Sequence, residues 1–122
     1  IMGYCFGGLD SLDLARNCSE LKGAVSFHGF LSGPEENNGE KINAKVLALH
    51  GLKDPMVGQD QIDSFSNEMT KKNADWQLHV FGDAMHAFTN PEANDPEFGT
   101  VYNQKADQRS WKMLTDLLKE IF

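Results

Sequence analysis

Short apolar runs alternate along the chain with longer segments in which apolar residues recur at helical spacing. Four of these runs predict strands, at positions 1–4, 24–27, 45–50 and 76–81. The third run is apolar on both faces, which is typical of a strand buried inside a parallel sheet. This run is therefore expected in the interior of a sheet.

The segments between the strands predict amphipathic helices. The first helix opens at Gly7 and runs to about Asn17, and the second follows the turn at Pro55 and Gly58 and ends near Lys72. The first helix presents an apolar face formed by Leu9, Leu12 and either Ala15 or Arg16. The last helix carries one apolar stripe, which predicts that its members, Trp111 among them, lie in the core: Trp111, Leu114, Leu118 and Ile121.

Segments of turn composition, at positions 28–43 and 82–99, separate these elements. Alternation of strands and helices predicts an α/β fold with about four parallel strands and flanking helices. The length of 122 residues fits a single domain spanning positions 1–122. In parallel sheets of this kind, functional side chains gather at the C-terminal ends of the strands.

Composition narrows the possible partners. The net charge of -7 disfavours nucleic acid and anionic membranes, because such binding depends on lysine and arginine neutralising phosphates. No apolar run approaches the roughly 18 residues that cross a bilayer. The two cysteines are too few for a disulfide framework, and no paired spacing indicates a zinc site, so we expect reduced thiols, a cytoplasmic location and no metal.

A candidate nucleophile lies at the end of the first predicted strand. Cys5 stands in the sequence Gly-Tyr-Cys-Phe-Gly-Gly, at a strand-to-helix turn. Residues without a Cβ atom allow a strained turn and a close approach of strand and helix. The following helix N-terminus favours a thiolate, and the backbone N–H of Phe6 can point toward a developing oxyanion. The alternative is that Cys5 is an inert buried thiol.

Two other segments at predicted strand ends carry an acid and a histidine. Asp54 lies in His-Gly-Leu-Lys-Asp-Pro, and His86 lies in Gly-Asp-Ala-Met-His-Ala-Phe. The chain order of nucleophile, acid and histidine is that of the α/β-hydrolase triad. Asp83 is an alternative acid, although its position in the loop is less favourable than the strand end that precedes Asp54. Alone, Asp54 could be a turn residue and His86 a surface histidine.

Together these motifs resemble the dienelactone hydrolase family. The resemblance rests on Gly-Tyr-Cys-Phe-Gly-Gly, His-Gly-Leu-Lys-Asp-Pro and Met-His-Ala-Phe-Thr-Asn-Pro-Glu-Ala, and it continues into the last helix. It implies the C-terminal half of an α/β-hydrolase fold. It also implies a cysteine hydrolase without a cofactor, in which Cys5 attacks an ester or lactone carbonyl, His86 is the base and Asp54 orients it. A thioester intermediate follows.

Three further residues are candidates for the pocket of a small ester or lactone substrate: Tyr4, His28 and Phe88. His28 ends a strand at the catalytic edge of the sheet, whereas His50 is expected to bond to nearby backbone. Strands that precede the nucleophile in this fold are absent from the sequence. We therefore expect weak activity, with self-association or pairing with the missing N-terminal half. A non-catalytic interaction module and a thioesterase or peptidase variant remain alternatives.

Overall fold

The computed structural model describes residues 1–33 and 40–122. The elements follow in this order: β1 (Met2–Tyr4), α1 (Phe6–Asn17), β2 (Gly23–Phe27), β3 (Lys45–Gly51), α2 (Gln59–Lys71), β4 (Asp75–Phe81), β5 (Asn94–Asp95), β6 (Thr100–Val101) and α3 (Gln104–Ile121). Strands β1 to β4 lie where the apolar runs predict strands. The loop predicted at 28–43 includes positions 34–39, which lie outside the described residues.

Strands β1 to β4 form one parallel sheet in the order β1-β2-β3-β4. The prediction of an α/β fold with about four parallel strands and flanking helices is confirmed. Strand β3 is flanked on both sides, and six of its seven residues are buried, as its continuous apolar run indicates. The parallel arrangement brings the ends of β1, β2, β3 and β4 to one edge of the sheet.

The sheet separates two apolar cores because successive side chains of a strand point to opposite faces. On one face, Val46 and Ala48 of β3 pack in a cluster with α1 and α2, which contribute Leu12 and Phe65. On the other face, Leu47 and Leu49 belong to a cluster that includes α3 residues. Each helix thus covers one side of the sheet, and the edge that carries the strand ends is left between them.

The face of α3 that meets the sheet differs from the predicted stripe. Ser110, Leu114 and Leu117 are buried, whereas Trp111 is 51% exposed and Leu118 is 41% exposed. The prediction that Trp111 belongs to the core is wrong. Positions 110, 114 and 117 share one helical face, and the stripe built on Trp111 and Leu118 lies beside it, so packing against the sheet decided between two neighbouring faces.

The predicted loop at 82–99 is more ordered than its composition suggests. Strands β5 and β6 pair antiparallel within and just after it. The backbone N–H of His86 donates to the Gly99 carbonyl at 2.9 Å, and the His86 carbonyl accepts from the N–H of Val101 at 3.2 Å. These two bonds fix the backbone of His86 at the edge of the sheet.

Candidate active site

Cys5 occupies a sharp turn between β1 and α1. Its backbone has φ 51° and ψ -117°, a conformation that is strained for any residue with a Cβ atom. The Cys5 N–H donates to the carbonyl of Phe27 at the end of β2, at 3.0 Å. This bond fixes the strained backbone of Cys5. The half-buried thiol therefore lies at the C-terminal edge of the sheet, directly before the first turn of α1.

Glycines next to Cys5 allow this turn. A Cβ atom on Gly3 would overlap the backbone carbonyl of Gly7. One on Gly8 would lie 2.5 Å from Ser26 Oγ and 3.0 Å from the Cα atom of Gly29. The glycine pattern in the sequence therefore reflects two close approaches, one of β1 to α1 and one of α1 to the segment that follows β2.

Asp54 and His86 are in direct contact. His86 Nδ1 lies 2.8 Å from Asp54 Oδ2, and Asp54 Oδ1 accepts a 2.8 Å hydrogen bond from the backbone N–H of Met56. Both side chains are buried, with relative exposures of 7% for His86 and 0% for Asp54. Asp83 is exposed, and the carboxylate that contacts the His86 ring is that of Asp54.

His28 also reaches the thiol. Its Nδ1 atom lies 3.3 Å from Cys5 Sγ, and its Nε2 atom lies 2.8 Å from Thr89 Oγ1. His28 follows β2 with φ 40°, and its N–H donates to the carbonyl of Leu49 at 2.8 Å. One donor atom from each of Cys5, His28 and His86 lies within 4.8 Å of the others. The thiol therefore has two imidazole neighbours.

The two imidazoles differ in their affinity for a proton. The hydrogen bond to Asp54, with a further contribution from the Cys5 sulfur, raises the pKa of His86 to about 9 despite burial. Burial, reinforced by the charge of His86, lowers the pKa of His28 to about 4. Near neutral pH the arrangement thus favours a positive His86 and a neutral His28.

A cleft of about 560 Å³ opens beside the thiol. The residues that line it include Tyr4, Cys5, His28, Ala87, Thr89, Asn90, Pro91, Asp107 and Trp111. The Tyr4 ring is 40% exposed and stacks on Phe27 with 4.6 Å between ring centroids. The polar part of the lining comes from hydroxyl, amide and carboxylate groups, and Trp111 supplies a large apolar surface.

Phe88 does not line this cleft, contrary to the prediction. Its side chain is fully buried and packs edge-on against His28 with 4.9 Å between ring centroids. Phe88 belongs to the core cluster on the α3 side of the sheet, together with Phe81. Phe88 therefore contacts the His28 ring from the core.

Phe6 is the first residue of α1, so its N–H has no earlier turn of helix to bond with. Its side chain is 67% exposed. Sequence reasoning missed Thr89 and Trp111 as site residues. Thr89 lies three residues after His86, and this proximity was the signal that could have identified it.

The prediction that His50 bonds to nearby backbone is wrong. His50 is 1% exposed, and within the described residues both of its ring nitrogens lack a hydrogen-bond partner. Burial lowers the pKa of His50, so the neutral ring is favoured.

No helix among the described residues has the length and apolar character needed to cross a membrane.

Known proteins match the chain over nearly all of its length. Residues 1–122 match the profile of the dienelactone hydrolase family. An uncharacterised protein of Caenorhabditis elegans is 38% identical over 123 residues, covering 98% of this chain and 78% of that protein. A putative carboxymethylenebutenolidase of Escherichia coli strain K12 is 26% identical over 128 residues, covering 98% of this chain and 45% of the relative.

Solved structures agree with these matches. A dienelactone hydrolase-like promiscuous phosphotriesterase from metagenomic libraries superposes with a TM-score of 0.92 at 35% identity, covering 99% of this chain and 51% of that one. A putative dienelactone hydrolase of Klebsiella pneumoniae gives a TM-score of 0.75 at 28% identity, covering 93% and 48%. The chain thus spans about half the length of these structures and of the Escherichia coli relative.

Proposed function

Because the chain belongs to the dienelactone hydrolase family and has the fold of part of an α/β-hydrolase, we propose that it supplies the triad of a cysteine hydrolase that cleaves a lactone or an ester. The observation that carries the proposal is the geometry of Cys5, His86 and Asp54. The His86 ring contacts Asp54 at 2.8 Å through Nδ1. A ring nitrogen of His86 lies within 4.8 Å of the Cys5 sulfur.

In the first half of the reaction, Cys5 Sγ attacks the carbonyl carbon as a thiolate, with the thiol proton already held by His86, and forms a C–S bond. The tetrahedral intermediate collapses, the C–O bond to the leaving alcohol breaks, and His86 returns the proton to the departing oxygen. Asp54 orients the ring and stabilises its protonated form. The raised pKa of His86 supports this role, because a cation next to the sulfur stabilises a thiolate.

In the second half, His86 removes a proton from water, and the water oxygen attacks the thioester carbonyl. The C–S bond breaks, the carboxylic acid leaves, and the Cys5 thiolate is restored beside His86, which keeps the proton taken from water. The Phe6 N–H at the start of α1 is the proposed donor to the oxyanion in both halves, because helix N-terminal amides are free to bind negative charge. A second donor is expected from the part of the relatives that this chain does not span.

The proposed substrate is a small lactone or ester whose apolar part rests against Tyr4 and Trp111 in the cleft. The name of the Escherichia coli relative, a putative carboxymethylenebutenolidase, supports a lactone. The metagenomic relative is described as a phosphotriesterase, so an aryl phosphotriester is a second class of compound to assay as a substrate. Both cysteines are free, which supports a reducing compartment such as the cytoplasm.

Mass spectrometry of the 122-residue chain after brief incubation with an activated aryl ester tests the proposal directly. We expect one acyl group on Cys5 and its loss on further incubation as the thioester hydrolyses. Cys5→Ala should abolish acylation, whereas Cys18→Ala should leave it intact. Acylation of Cys18 alone, or equal acylation of the Cys5→Ala chain, would favour a non-catalytic interaction module over a hydrolase.

A further inference from the structure

Three side chains that commonly bind metals converge at the cleft, although they lie far apart in the sequence. Cys5 follows β1, His28 follows β2, and His86 lies in the segment after β4. One donor atom from each lies within 4.8 Å of the other two. Because each comes from a different part of the chain, the paired spacing that marks many zinc sites in a sequence is absent.

One of the three distances between donor atoms is already that of a zinc site. Tetrahedral zinc has Zn–S bonds of about 2.3 Å and Zn–N bonds of about 2.0–2.1 Å, which places the donor atoms roughly 3.3–3.6 Å apart. Cys5 Sγ and His28 Nδ1 already lie 3.3 Å apart. The donor atom of His86 has to approach by roughly 1.2–1.5 Å at most to complete a tripod of this size.

Both imidazoles are oriented by a hydrogen bond on their other nitrogen. Thr89 Oγ1 contacts His28 Nε2 at 2.8 Å, which leaves Nδ1 facing the sulfur. Asp54 Oδ2 contacts His86 Nδ1 at 2.8 Å, which leaves Nε2 for a ligand. Metal-binding histidines characteristically donate their other ring N–H to an oxygen acceptor such as a carboxylate, because this bond fixes the ring and its tautomer. Both histidines therefore already have a hydrogen-bond partner that orients the ring for binding zinc.

We propose that Cys5, His28 and His86 bind one Zn²⁺ ion, with the fourth position facing the cleft that Cys5 and His28 line. One thiolate and two imidazoles suit zinc, whereas Mg²⁺ and Ca²⁺ require oxygen ligands. On binding, one Zn–S and two Zn–N bonds form, and the proton that the Cys5–His86 pair carries on His86 Nε2 is released to solvent. Zinc binding blocks the hydrolysis proposed above, since it occupies the sulfur and His86 Nε2. The binding itself does not rest on that function.

Titration of the chelator-treated 122-residue chain with Co²⁺ tests the site without an activity assay. We expect one equivalent to bind, with a near-ultraviolet sulfur-to-cobalt absorption band and strong visible bands of a four-coordinate ion. Zn²⁺ should displace Co²⁺ and remove both sets of bands. Cys5→Ser should abolish the sulfur band, and His28→Gln and His86→Gln should each weaken Co²⁺ binding by at least about tenfold.

Two control variants and one variant of a supporting residue separate loss of the metal site from misfolding. Cys18→Ser and His79→Gln, which change a thiol and an imidazole outside the cluster, should leave the titration unchanged. Thr89→Val removes the hydroxyl that contacts His28 Nε2 and should weaken Co²⁺ binding by about 10-fold to 100-fold with unchanged circular dichroism. Absence of the sulfur band in the parent chain overturns the proposal. A band that survives Cys5→Ser or is lost in Cys18→Ser overturns it too.

Discussion

At the scale of single residues, the turn at Cys5 depends on the absence of a Cβ atom at Gly3. Gly3→Ala would place a methyl group against the Gly7 carbonyl, and backbone atoms cannot move aside as side chains do. We expect a loss of about 3 kcal/mol in the free energy of unfolding, at the upper end of overpacking effects, with lower acylation of Cys5. Urea unfolding followed by circular dichroism measures it.

The matched control for this change is Gly82→Ala. Apart from the adjacent positions, no atom of the described residues lies within 4 Å of a Cβ placed at Gly82, and its φ is not in the left-handed region. Its free energy of unfolding should stay the same or rise by less than about 1 kcal/mol. Equal losses in both variants would show that the glycine at the turn is not required by close packing.

A second prediction at this scale separates the two acids near His86. Asp54→Asn removes the carboxylate that holds the His86 ring at 2.8 Å, so the ring loses its orientation and its charge partner. The single-turnover rate of Cys5 acylation should fall by roughly 100-fold to 10,000-fold. Asp83→Asn, on an exposed residue, should change this rate by less than about twofold. The opposite ranking would make Asp83 the functional acid.

At the scale of elements, a buried ionic contact joins α1 to α2. Arg16 donates to both carboxylate oxygens of Glu68, each at 2.9 Å, and Glu68 also lies 3.4 Å from Lys72. The side chain of Arg16 is 1% exposed and that of Lys72 is 3% exposed. Arg16 is therefore buried on the inner face of α1 together with Ala15, and its charge is compensated by Glu68 of α2 and by Asp13 of α1.

Glu68→Gln removes the carboxylate next to buried Lys72 and leaves buried Arg16 with the half-exposed Asp13 as its carboxylate partner among the described residues. We expect the free energy of unfolding to fall by about 3–5 kcal/mol, because an unpaired buried charge keeps its desolvation cost. Asp116→Asn breaks ion pairs on the exposed face of α3 and should leave the urea midpoint nearly unchanged. A small effect of Glu68→Gln would mean that water reaches the interface between α1 and α2.

Helix α3 presents one face to the core and a neighbouring edge to the cleft. Trp111→Ala removes a half-exposed ring from the cleft, so we expect a loss of stability below about 1.5 kcal/mol and a KM for aryl esters that rises more than kcat falls. Leu114→Ala, one turn away in the core, should cost about 2–5 kcal/mol. Greater destabilisation by Trp111→Ala would contradict this assignment of the two faces.

At the scale of the whole molecule, one side of the sheet carries exposed apolar surface. Strand β1 is an edge of the sheet and pairs only with β2 among the described residues. An apolar groove of about 420 Å³ beside it is lined by residues that include Ile1, Met2, Val25, Leu117, Leu118 and Phe122. Exposed strand edges and apolar surface of this kind promote association.

We therefore expect the 122-residue chain to elute as a dimer or larger species in size-exclusion chromatography with light scattering. Met2→Glu places a charge on the edge strand and should shift the chain toward the monomer. Leu14→Glu alters a side chain of similar exposure on α1, 42% against 43% for Met2, and should not. A monodisperse monomer of the parent chain would show that the groove and edge tolerate water.

Features encoded by neighbouring residues could be predicted from the sequence alone. The order of strands and helices follows from apolar periodicity, and the turn at Cys5 follows from the glycine pattern, in which Gly3 makes a local close approach to Gly7. Asp54 and His86 were identifiable because each stands in a short motif near a predicted strand end. In a parallel sheet those ends meet at one edge, so the candidate triad could be assembled without coordinates.

Only the tertiary structure decided which way individual side chains point. His28 turns toward the thiol through a left-handed backbone conformation, and Phe88 turns into the core, although each lies in a loop of similar composition. On α3, Trp111 is half-exposed although its stripe predicts burial, and the neighbouring Ser110 is buried. A rotation of about 100° separates adjacent positions on a helix, so the packing of α3 against a distant sheet, and not its own sequence, selected the buried face.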